Sequence, residues 1–168
     1  MQDEAVPRVS VCISVLNDAA LLRGTLQSVL AQSFKDWEAI VVDDGSDNPD
    51  EIRGACTIFA DPRISYHRFP VNKGIPFGAN YGYKIARGEL IQALGVDEVI
   101  ASDKFADQVD YLDEHPDVDL VWGIPGNGPM GLRPLWEQYA TKAHNRSREH
   151  WLKCFINREG VPVGGASA

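Results

Sequence analysis

The sequence predicts an α/β fold in which a mainly parallel sheet carries helices on both faces. Segments with strand-like and helix-like apolar patterns alternate from Val9 to Trp122, and this order implies right-handed crossovers between parallel strands. Ala39–Val42 is an unbroken apolar run, which is typical of a strand buried on both faces of a parallel sheet. The 168 residues, of which 44% are hydrophobic, suffice for one domain with a core.

The first part of the chain is predicted to contain two strands and two helices. Val9–Leu16 is β-branched and apolar, which indicates a strand before the one at Ala39–Val42. Between them, apolar side chains recur at helical spacing, which indicates a helix. The members of its apolar face are Leu22, Leu26, Val29 and Leu30. Asn48 and Pro49 are typical of the start of a second helix, with Asn48 as the N-cap and Glu51 placed to reach back to it.

The same alternation continues in the second part of the chain. Strands are predicted at Ile64–Phe69, Leu90–Leu94 and Val118–Trp122. The helices between them are predicted from apolar residues that recur on one face. These residues are Phe77, Tyr81, Ile85, Phe105, Val109 and Leu112.

The organisation changes after the last predicted strand. Residues 123–134 contain four glycines and three prolines, which indicates a long loop, and two further helical patterns follow it. We therefore expect a single domain over residues 1–168, with a core at 9–122 and a loop with helices at 123–168. The last residues carry neither a stop signal nor a charged tail, so we expect them to be cut from a longer protein.

Composition and charge exclude several classes of protein. The net charge of -8 opposes unspecific attraction to nucleic acid or to an anionic membrane surface. Cys12, Cys56 and Cys154 form no Cys-x-x-Cys pair, so we expect reduced thiols in a cytosolic protein. No stretch approaches the ~20 apolar residues of a membrane span, and the N-terminus lacks the apolar core of a signal peptide. We expect a cytoplasmic protein without a transmembrane segment, while a membrane-anchored acceptor and peripheral attachment stay open.

Acidic residues follow two of the predicted strands. The segment Asp43–Ser46 comes directly after Ala39–Val42, and Gly95–Glu98 comes after Leu90–Leu94. Ligands bind at the carboxyl ends of strands in open α/β sheets, so both segments are candidate binding sites. A solvated acidic turn is the alternative for the first. Because the chain is acidic, an anionic ligand needs a local cation, and aspartate oxygens suit hard divalent cations.

Two common phosphate-binding motifs are missing from the sequence. A Rossmann dehydrogenase needs Gly-x-Gly-x-x-Gly directly after the first strand, where this chain has Leu16–Ala19. The glycine-rich motif of a P-loop does not occur. The segment after the first strand, Leu16–Leu21, also lacks the glycine-rich basic loop of a nucleotidyltransferase. Without such a cradle, a bound diphosphate would have to be neutralised by a metal ion and a few cationic side chains.

Several segments together resemble the family 2 glycosyltransferases of the nucleotide-binding type called GT-A. They occur in the family's usual order between about Val9 and Leu120. The matching segments are Val9–Asn17, Leu26–Phe34, Trp37–Glu38, Val41–Ser46, Asn72–Gly74, Asn80–Gly82 and Ala86–Ile91. The resemblance implies a GT-A fold truncated at its C-terminus, with residues 9–122 binding a nucleotide sugar and 123–168 leading to an acceptor-side region.

The resemblance also implies roles for residues around the nucleoside. In the family, the second acid of the Asp-Asp-Gly-Ser segment typically contacts the base, which points to Asp44, with Asp43 as its neighbour. Ser14 and Asn17 match positions that line the nucleoside. Leu16 stands where many members have an aromatic residue, so base stacking is not expected there.

The family's Asp-x-Asp motif falls on Gly95-Val96-Asp97. Asp97 matches the metal-binding acid, and the resemblance implies Mg²⁺ or Mn²⁺ at this position. Gly95 departs from the family because it cannot supply the carboxylate that often contacts the ribose. Glu98 either contributes to the site or is a solvated loop acid.

Two further polar residues are candidates for nucleotide binding. Lys73 could contact the diphosphate, although a lysine in an Asn-Lys-Gly turn is also typical of a solvated loop. Asn80 is a polar residue on an otherwise apolar helix near the site, where it needs a hydrogen-bond partner.

The function implied by the resemblance is sugar transfer in polysaccharide biosynthesis. The donor would be a nucleoside diphosphate sugar, with a UDP-sugar favoured, and the acceptor a hydroxyl of a glycan or lipid-linked molecule, with inversion. The general base usually lies in the family's C-terminal half, so no catalytic residue is assigned. We expect this chain to bind nucleotide and to be catalytically incomplete by itself. The alternative is a nucleotide-sugar-binding module without catalysis, because the Asp-x-Asp motif is altered.

Overall fold

The structure, a computed structural model, describes residues 5–121 of the 168-residue chain. The chain divides into two compact units, Met1–Ala106 and Asp107–Ala168. All the strands described below belong to the first unit. The loop and helices predicted at 123–168 lie outside the described residues, and the single-domain organisation stays a prediction.

Strands and helices alternate along the described part of the chain, as predicted. The strands are β1 (Val9–Val15), β2 (Trp37–Asp43), β3 (Ile64–Arg68) and β4 (Leu90–Gly95). The helices are α1 (Ala19–Leu30), α2 (Pro49–Thr57), α3 (Ile75–Ile85) and α4 (Lys104–Glu114). The start of α2 is also as predicted, with Asn48 at the N-cap, but Asn48 makes no side-chain capping hydrogen bond. Its side-chain amide instead donates to the Glu51 carboxylate at 2.9 Å.

The strand predicted at Val118–Trp122 is wrong for the residues that can be described. Residues 118–121 form no strand, and Trp122 lies outside the described part. The backbone N–H of Val118 instead donates to the His115 carbonyl at 2.9 Å, which closes a turn after α4. Aspartates at 117 and 119 alternate with apolar residues here, which imitates the period of a half-buried strand.

The four strands form one sheet in the order β3-β2-β1-β4. All three pairings are parallel, so β1 lies between β2 and β4. The register pairs Val15 with Asp43 and Ser14 with Gly95. The carboxyl ends of β1, β2 and β4 therefore lie at one edge of the sheet, and both acidic segments start from that edge.

Helices cover both faces of the sheet. α3 packs against the face that carries Cys12 and Val42, and a Cβ added at Gly82 would lie 3.2 Å from the Cβ of Cys12. Side chains alternate along a strand, so Val41 points to the opposite face. There α2 contacts β2 and β3, and α1 packs beside α2. β2 is buried over its whole length, in agreement with the unbroken apolar run in its sequence.

A buried polar network holds the start of β2, at the opposite edge from the acidic segments. Glu38 accepts hydrogen bonds from the Ser10 hydroxyl at 2.7 Å, the Arg87 backbone N–H at 2.8 Å and the Arg87 Nε at 2.9 Å. The Gly88 N–H donates to the Ser10 hydroxyl at 2.8 Å. Burial raises the pKa of Glu38, but the hydrogen bonds from Arg87 and Ser10 and the charge of Arg87 hold that pKa below its ordinary value. The network fixes the connection between α3 and β4.

The cysteines in the described residues are core thiols. Cys12 and Cys56 are buried and unbridged, and burial raises the pKa of Cys12 to about 11 and that of Cys56 to about 12. Cys154 lies outside the described residues. Between residues 5 and 121, no helix combines the length and the apolar character that a membrane span needs.

Candidate functional site

The first acidic turn, Asp43–Ser46, is anchored by the carboxylate of Asp43. This residue is 0% exposed. Its carboxylate accepts hydrogen bonds from the Ser46 backbone N–H at 2.8 Å and the Tyr66 hydroxyl at 2.7 Å, and Arg68 Nε lies 3.4 Å away. Burial raises the pKa of Asp43, but these hydrogen bonds and the Arg68 charge hold that pKa below its ordinary value. Asp43 is therefore an ionised internal anchor, turned toward the α2 face of the sheet.

Asp44 fastens the turn to the loop that precedes α3. It is 2% exposed. Its two carboxylate oxygens accept from the backbone N–H groups of Lys73 and Gly74, each at 2.8 Å. Its own N–H donates to the Val15 carbonyl at 2.9 Å. Asp44 thus joins β1, β2 and the 72–74 loop at the carboxyl edge of the sheet.

Gly45 lets the same loop approach the turn closely. Its φ is +83°, and an added Cβ would lie 2.5 Å from the backbone nitrogen of Asn72 and from the carbonyl carbon of Val71. No side chain fits in that space without moving the backbone. The amine of Lys73 lies over the ring of Phe69, with its Nζ 4.6 Å from the ring centroid.

Asn17 connects the end of β1 to the first acidic turn. Its backbone has a φ of 61°, and its N–H donates to the Ser46 hydroxyl at 2.9 Å. Its side-chain amide pairs with Asp47, donating to the carboxylate at 3.1 Å and accepting the Asp47 backbone N–H at 2.8 Å. Leu16, beside it, is 37% exposed. Asn17 therefore shapes the loop after β1, and its amide is already engaged by the protein.

Ser14 and α3 meet under the site. The Ser14 hydroxyl oxygen is buried and has no hydrogen-bond partner among the described residues. A Cβ at Gly78 would lie 2.2 Å from this oxygen, so the glycine is required for the contact. Asn80 lies on the side of α3 away from Gly78, because two residues turn an α-helix by about 200°, and it is exposed.

The second acidic turn, Gly95–Glu98, has a different character. Asp97 and Glu98 are both exposed. The Glu98 carboxylate accepts the Gly95 N–H at 2.8 Å, and the Glu98 N–H donates to the Gly95 carbonyl at 3.1 Å. A Cβ at Gly95 would lie 3.0 Å from Asp97 Oδ1 and 3.1 Å from Glu98 Cδ. The missing side chain at position 95 therefore leaves room in which two carboxylates lie side by side.

The ligands available for a metal ion at this turn are few. Within residues 5–121 no group of three or more His, Cys, Asp or Glu side chains is placed to hold a metal by itself. Mg²⁺ is commonly bound by one or two carboxylates together with substrate phosphates. Asp97 and Glu98 fit a cation that arrives with a diphosphate, and they do not fit a metal held by protein ligands alone.

Lys104, at the start of α4, is a cation near the second acidic turn. Its amine donates to the Gln92 side-chain carbonyl at 2.5 Å. Burial lowers the pKa of Lys104 to about 8, and the charge of Glu98 opposes that shift. Sequence reasoning missed this residue, since nothing in its local pattern separates it from an ordinary helix-start lysine.

The Glycosyl transferase family 2 model matches residues 10–159 of this chain. The chain belongs to this family. A PGL/p-HBAD biosynthesis glycosyltransferase of Mycobacterium bovis is 34% identical over 123 residues, which are 71% of this chain and 47% of that protein. The chain spans between 13% and 47% of the length of the curated relatives that it matches.

Solved structures agree with the family. Residues 1–349 of S. aureus TarS superpose with a TM-score of 0.61 and 24% identity, over 74% of this chain and 38% of that one. The mannosyltransferase PcManGT from Pyrobaculum calidifontis, solved with GDP-Man and Mn²⁺, gives a TM-score of 0.58 and 25% identity, over 64% of this chain and 33% of that one. The predicted GT-A fold is thereby confirmed.

Within this family 2 domain, the predicted site residues fall into separate groups. Asn17 and Asp43 are joined by hydrogen bonds through Ser46. Asp44, the next residue, instead accepts from the 72–74 loop, and Ser14 lies beside α3. Asp97 belongs to the second acidic turn. The described contacts do not link the side chains of Lys73 and Asn80 to either group, and their roles stay predictions.

Other members of the site could not be found by sequence reasoning alone. Tyr66 and Arg68 reach Asp43 because β3 pairs with β2 in one register, which places Arg68 opposite Asp43. In contrast, the sequence does signal Ser46 and Asp47, which follow Gly45. Their position in a Gly-Ser-Asp turn was a usable signal, since such side chains commonly bond to nearby backbone groups.

Proposed function

We propose that this family 2 domain binds a nucleoside diphosphate sugar across the carboxyl edge of its sheet, for sugar transfer by the whole protein. The observation that carries the proposal is the pair of acidic turns on either side of β1. Since β2 and β4 both neighbour β1, their ends lie about 10 Å apart, from the ~4.8 Å spacing of adjacent strands. That separation suits a nucleoside at one turn and a diphosphate at the other.

The nucleoside end is assigned to the first acidic turn. Each oxygen of Asp44 accepts one protein hydrogen bond and can accept another, so a base N–H can bind there without breaking the turn. Ser14 contributes a buried hydroxyl that lacks a partner among the described residues. Asp43 and Asn17 act behind them by holding the loops in place, and a UDP-sugar is the favoured donor.

The diphosphate end is assigned to the second acidic turn. Asp97, with Glu98 beside it, would hold Mg²⁺ or Mn²⁺ on the donor phosphates. The bound cation would stabilise the charge that develops on the leaving diphosphate. The PcManGT structure, solved with GDP-Man and Mn²⁺, supports this assignment by analogy of fold.

The remaining features of the proposed reaction are those that resemblance to the family implies. The acceptor is a hydroxyl of a glycan or lipid-linked molecule, the transfer inverts the anomeric centre, and the setting is polysaccharide biosynthesis in the cytoplasm or at the membrane surface. No general base is assigned among the described residues. A nucleotide-sugar-binding module without catalysis is the second candidate, and Gly95 favours it because the family's first carboxylate is absent.

A transfer assay on the whole protein separates the two candidates. Release of UDP from a panel of UDP-sugars would be measured with Mn²⁺ and with EDTA, in the presence of a glycan or lipid-linked acceptor extract. An enzyme gives release that depends on both metal and acceptor, and Asp97→Asn abolishes it while the exposed, charge-matched Asp103→Asn does not. Donor binding without any release supports the binding module, and neither binding nor release with UDP- or GDP-sugars contradicts both.

A further inference from the structure

Gln32, just after α1, is a completely buried polar side chain. It is 0% exposed. Its amide nitrogen donates to the Ala101 carbonyl at 2.6 Å and the Ser28 carbonyl at 3.0 Å, and its oxygen accepts the Phe105 N–H at 3.0 Å. Two of these three partners lie in the segment that follows β4. A buried amide costs free energy unless its polar atoms are hydrogen-bonded. Burial alone would therefore favour an apolar residue at this position.

The same segment is held at its other end by a residue of α1. Thr25, 1% exposed, donates its hydroxyl to the Val96 carbonyl at 2.6 Å. The backbone N–H of Ser33 donates to the Ser102 carbonyl at 2.7 Å. We call residues 96–101 the carboxylate loop, since Asp97 and Glu98 lie in it.

The carboxylate loop is thus fixed at both ends while its acids stay exposed. Val96 is tied to Thr25, and the stretch from Ala101 to Phe105 is tied to Gln32. The residues between these ties have no regular secondary structure, so the ties limit where Asp97 can lie. Metal ligands must be held within fractions of an ångström to bind well.

We propose that Gln32 is a positioning residue for the cation at Asp97, acting through the carboxylate loop with help from Thr25. Gln32 itself touches neither cation nor substrate. The inference rests on the proposed function, because it assumes that Asp97 binds a cation together with a nucleoside diphosphate. It adds that the affinity for this cation depends on a buried side chain just after α1 that is hydrogen-bonded to the loop.

Two substitutions at position 32 test the proposal. Gln32→Met removes the amide but keeps a side chain of similar length, and Gln32→Glu keeps the oxygen that accepts from Phe105 while losing the donor to Ala101. Val29→Ala, at a fully buried apolar position of α1, is the control for a general loss of stability. UDP affinity would be measured by calorimetry with and without Mn²⁺, and hydrogen exchange would be followed over residues 96–103.

The proposal predicts a selective loss of metal dependence. Gln32→Met lowers the Mn²⁺-dependent gain in UDP affinity by about tenfold, as outer-shell changes at metal sites commonly do, and raises hydrogen exchange in the carboxylate loop. Metal-free UDP affinity stays within about twofold of the wild type, because the nucleoside end is untouched. Gln32→Glu loses at least as much of the gain as Gln32→Met, because its new oxygen faces the carbonyls of Ser28 and Ala101. Val29→Ala keeps the full gain despite a comparable drop in its urea midpoint.

Other outcomes overturn the proposal. If Gln32→Met keeps the full gain, or if Val29→Ala loses as much, Gln32 is only structural. Should Gln32→Met fail to fold, Thr25→Val gives the same comparison at the other tie, where an unchanged gain also overturns the inference. A wild-type chain without any Mn²⁺-dependent gain contradicts the proposed function as well as the inference, whereas a normal wild type with unaffected variants contradicts the inference alone.

Discussion

The two acidic turns occupy equivalent places, at the carboxyl ends of β2 and β4, but their carboxylates differ in burial and in bonding. Asp43 and Asp44 are buried, and each accepts two hydrogen bonds from the protein. Asp97 and Glu98 are exposed. The first pair therefore holds the loops of the site together, while the carboxylates of the second pair are open to solvent, where we propose that a cation binds.

Removing Asp43 would show the largest difference between the turns. Asp43→Ala leaves the Tyr66 hydroxyl, the Ser46 N–H and Arg68 without their shared acceptor, so we expect a loss of about 3 kcal/mol or more in the free energy of unfolding. Asp97→Ala, at an exposed position, should change it by less than about 0.5 kcal/mol. Urea unfolding followed by circular dichroism measures both, and equal losses would contradict the assignment of Asp43 as an anchor.

Gly45 offers a backbone test of the first turn. Gly45→Ala must place a Cβ 2.5 Å from the backbone nitrogen of Asn72 and the carbonyl carbon of Val71, in a residue with positive φ. We therefore expect the free energy of unfolding to fall by at least about 2 kcal/mol. The matched control is Gly24→Ala in α1, where an added Cβ meets nothing within 4 Å. That change should stabilise the helix by about 0.5 to 1 kcal/mol. Thermal unfolding of both variants checks the opposite signs, and a tolerated Gly45→Ala would mean that the turn is not tightly packed.

Acid should reveal the buried carboxylates through stability. The pKa of Asp43 and that of Glu38 are lowered in the folded protein, so the unfolded chain binds more protons in acid. Their stabilisation is complete above the unfolded values, about 3.9 for Asp and 4.3 for Glu, and is lost as the pH falls through the folded values. Each unit of lowering is worth about 1.4 kcal/mol.

Urea midpoints between pH 7 and pH 2 test this pH dependence. The wild type should lose stability below about pH 4, and Asp43→Asn should flatten part of that slope. A slope that is unchanged in Asp43→Asn would show that other groups carry the acid sensitivity.

Local sequence was sufficient to predict the sheet and the place of the acids. The apolar run at Ala39–Val42 lies in the buried β2, and Asp43 and Asp97 come at strand ends as predicted. The β3 partners of the buried Asp43 could not be read from the sequence. They depend on the pairing of β2 with β3, which brings Arg68 and Tyr66 to the Asp43 face, and such pairing is non-local.

Two other differences between prediction and structure have similar causes. The segment after α4 has the alternation of a strand, but residues 118–121 form none and the Val118 N–H closes a turn. Gln32 lies just after a helix whose sequence was interpreted only for its apolar face, and two of its three partners are distant in sequence, with separations of 69 and 73. Period and propensity describe neighbours in sequence, so contacts of this kind are beyond them.

Nucleotide titration of the 168-residue chain tests the central claim most directly. UDP would be titrated into the wild type, Asp97→Asn and the exposed, charge-matched Asp103→Asn, each with and without Mn²⁺. If Asp97 holds a cation on the diphosphate, Mn²⁺ tightens UDP binding by about tenfold or more in the wild type and in Asp103→Asn. Asp97→Asn should lose this gain while keeping the wild-type urea midpoint and metal-free affinity. A full Mn²⁺-dependent gain in Asp97→Asn, or an equal loss in Asp103→Asn, would contradict the account.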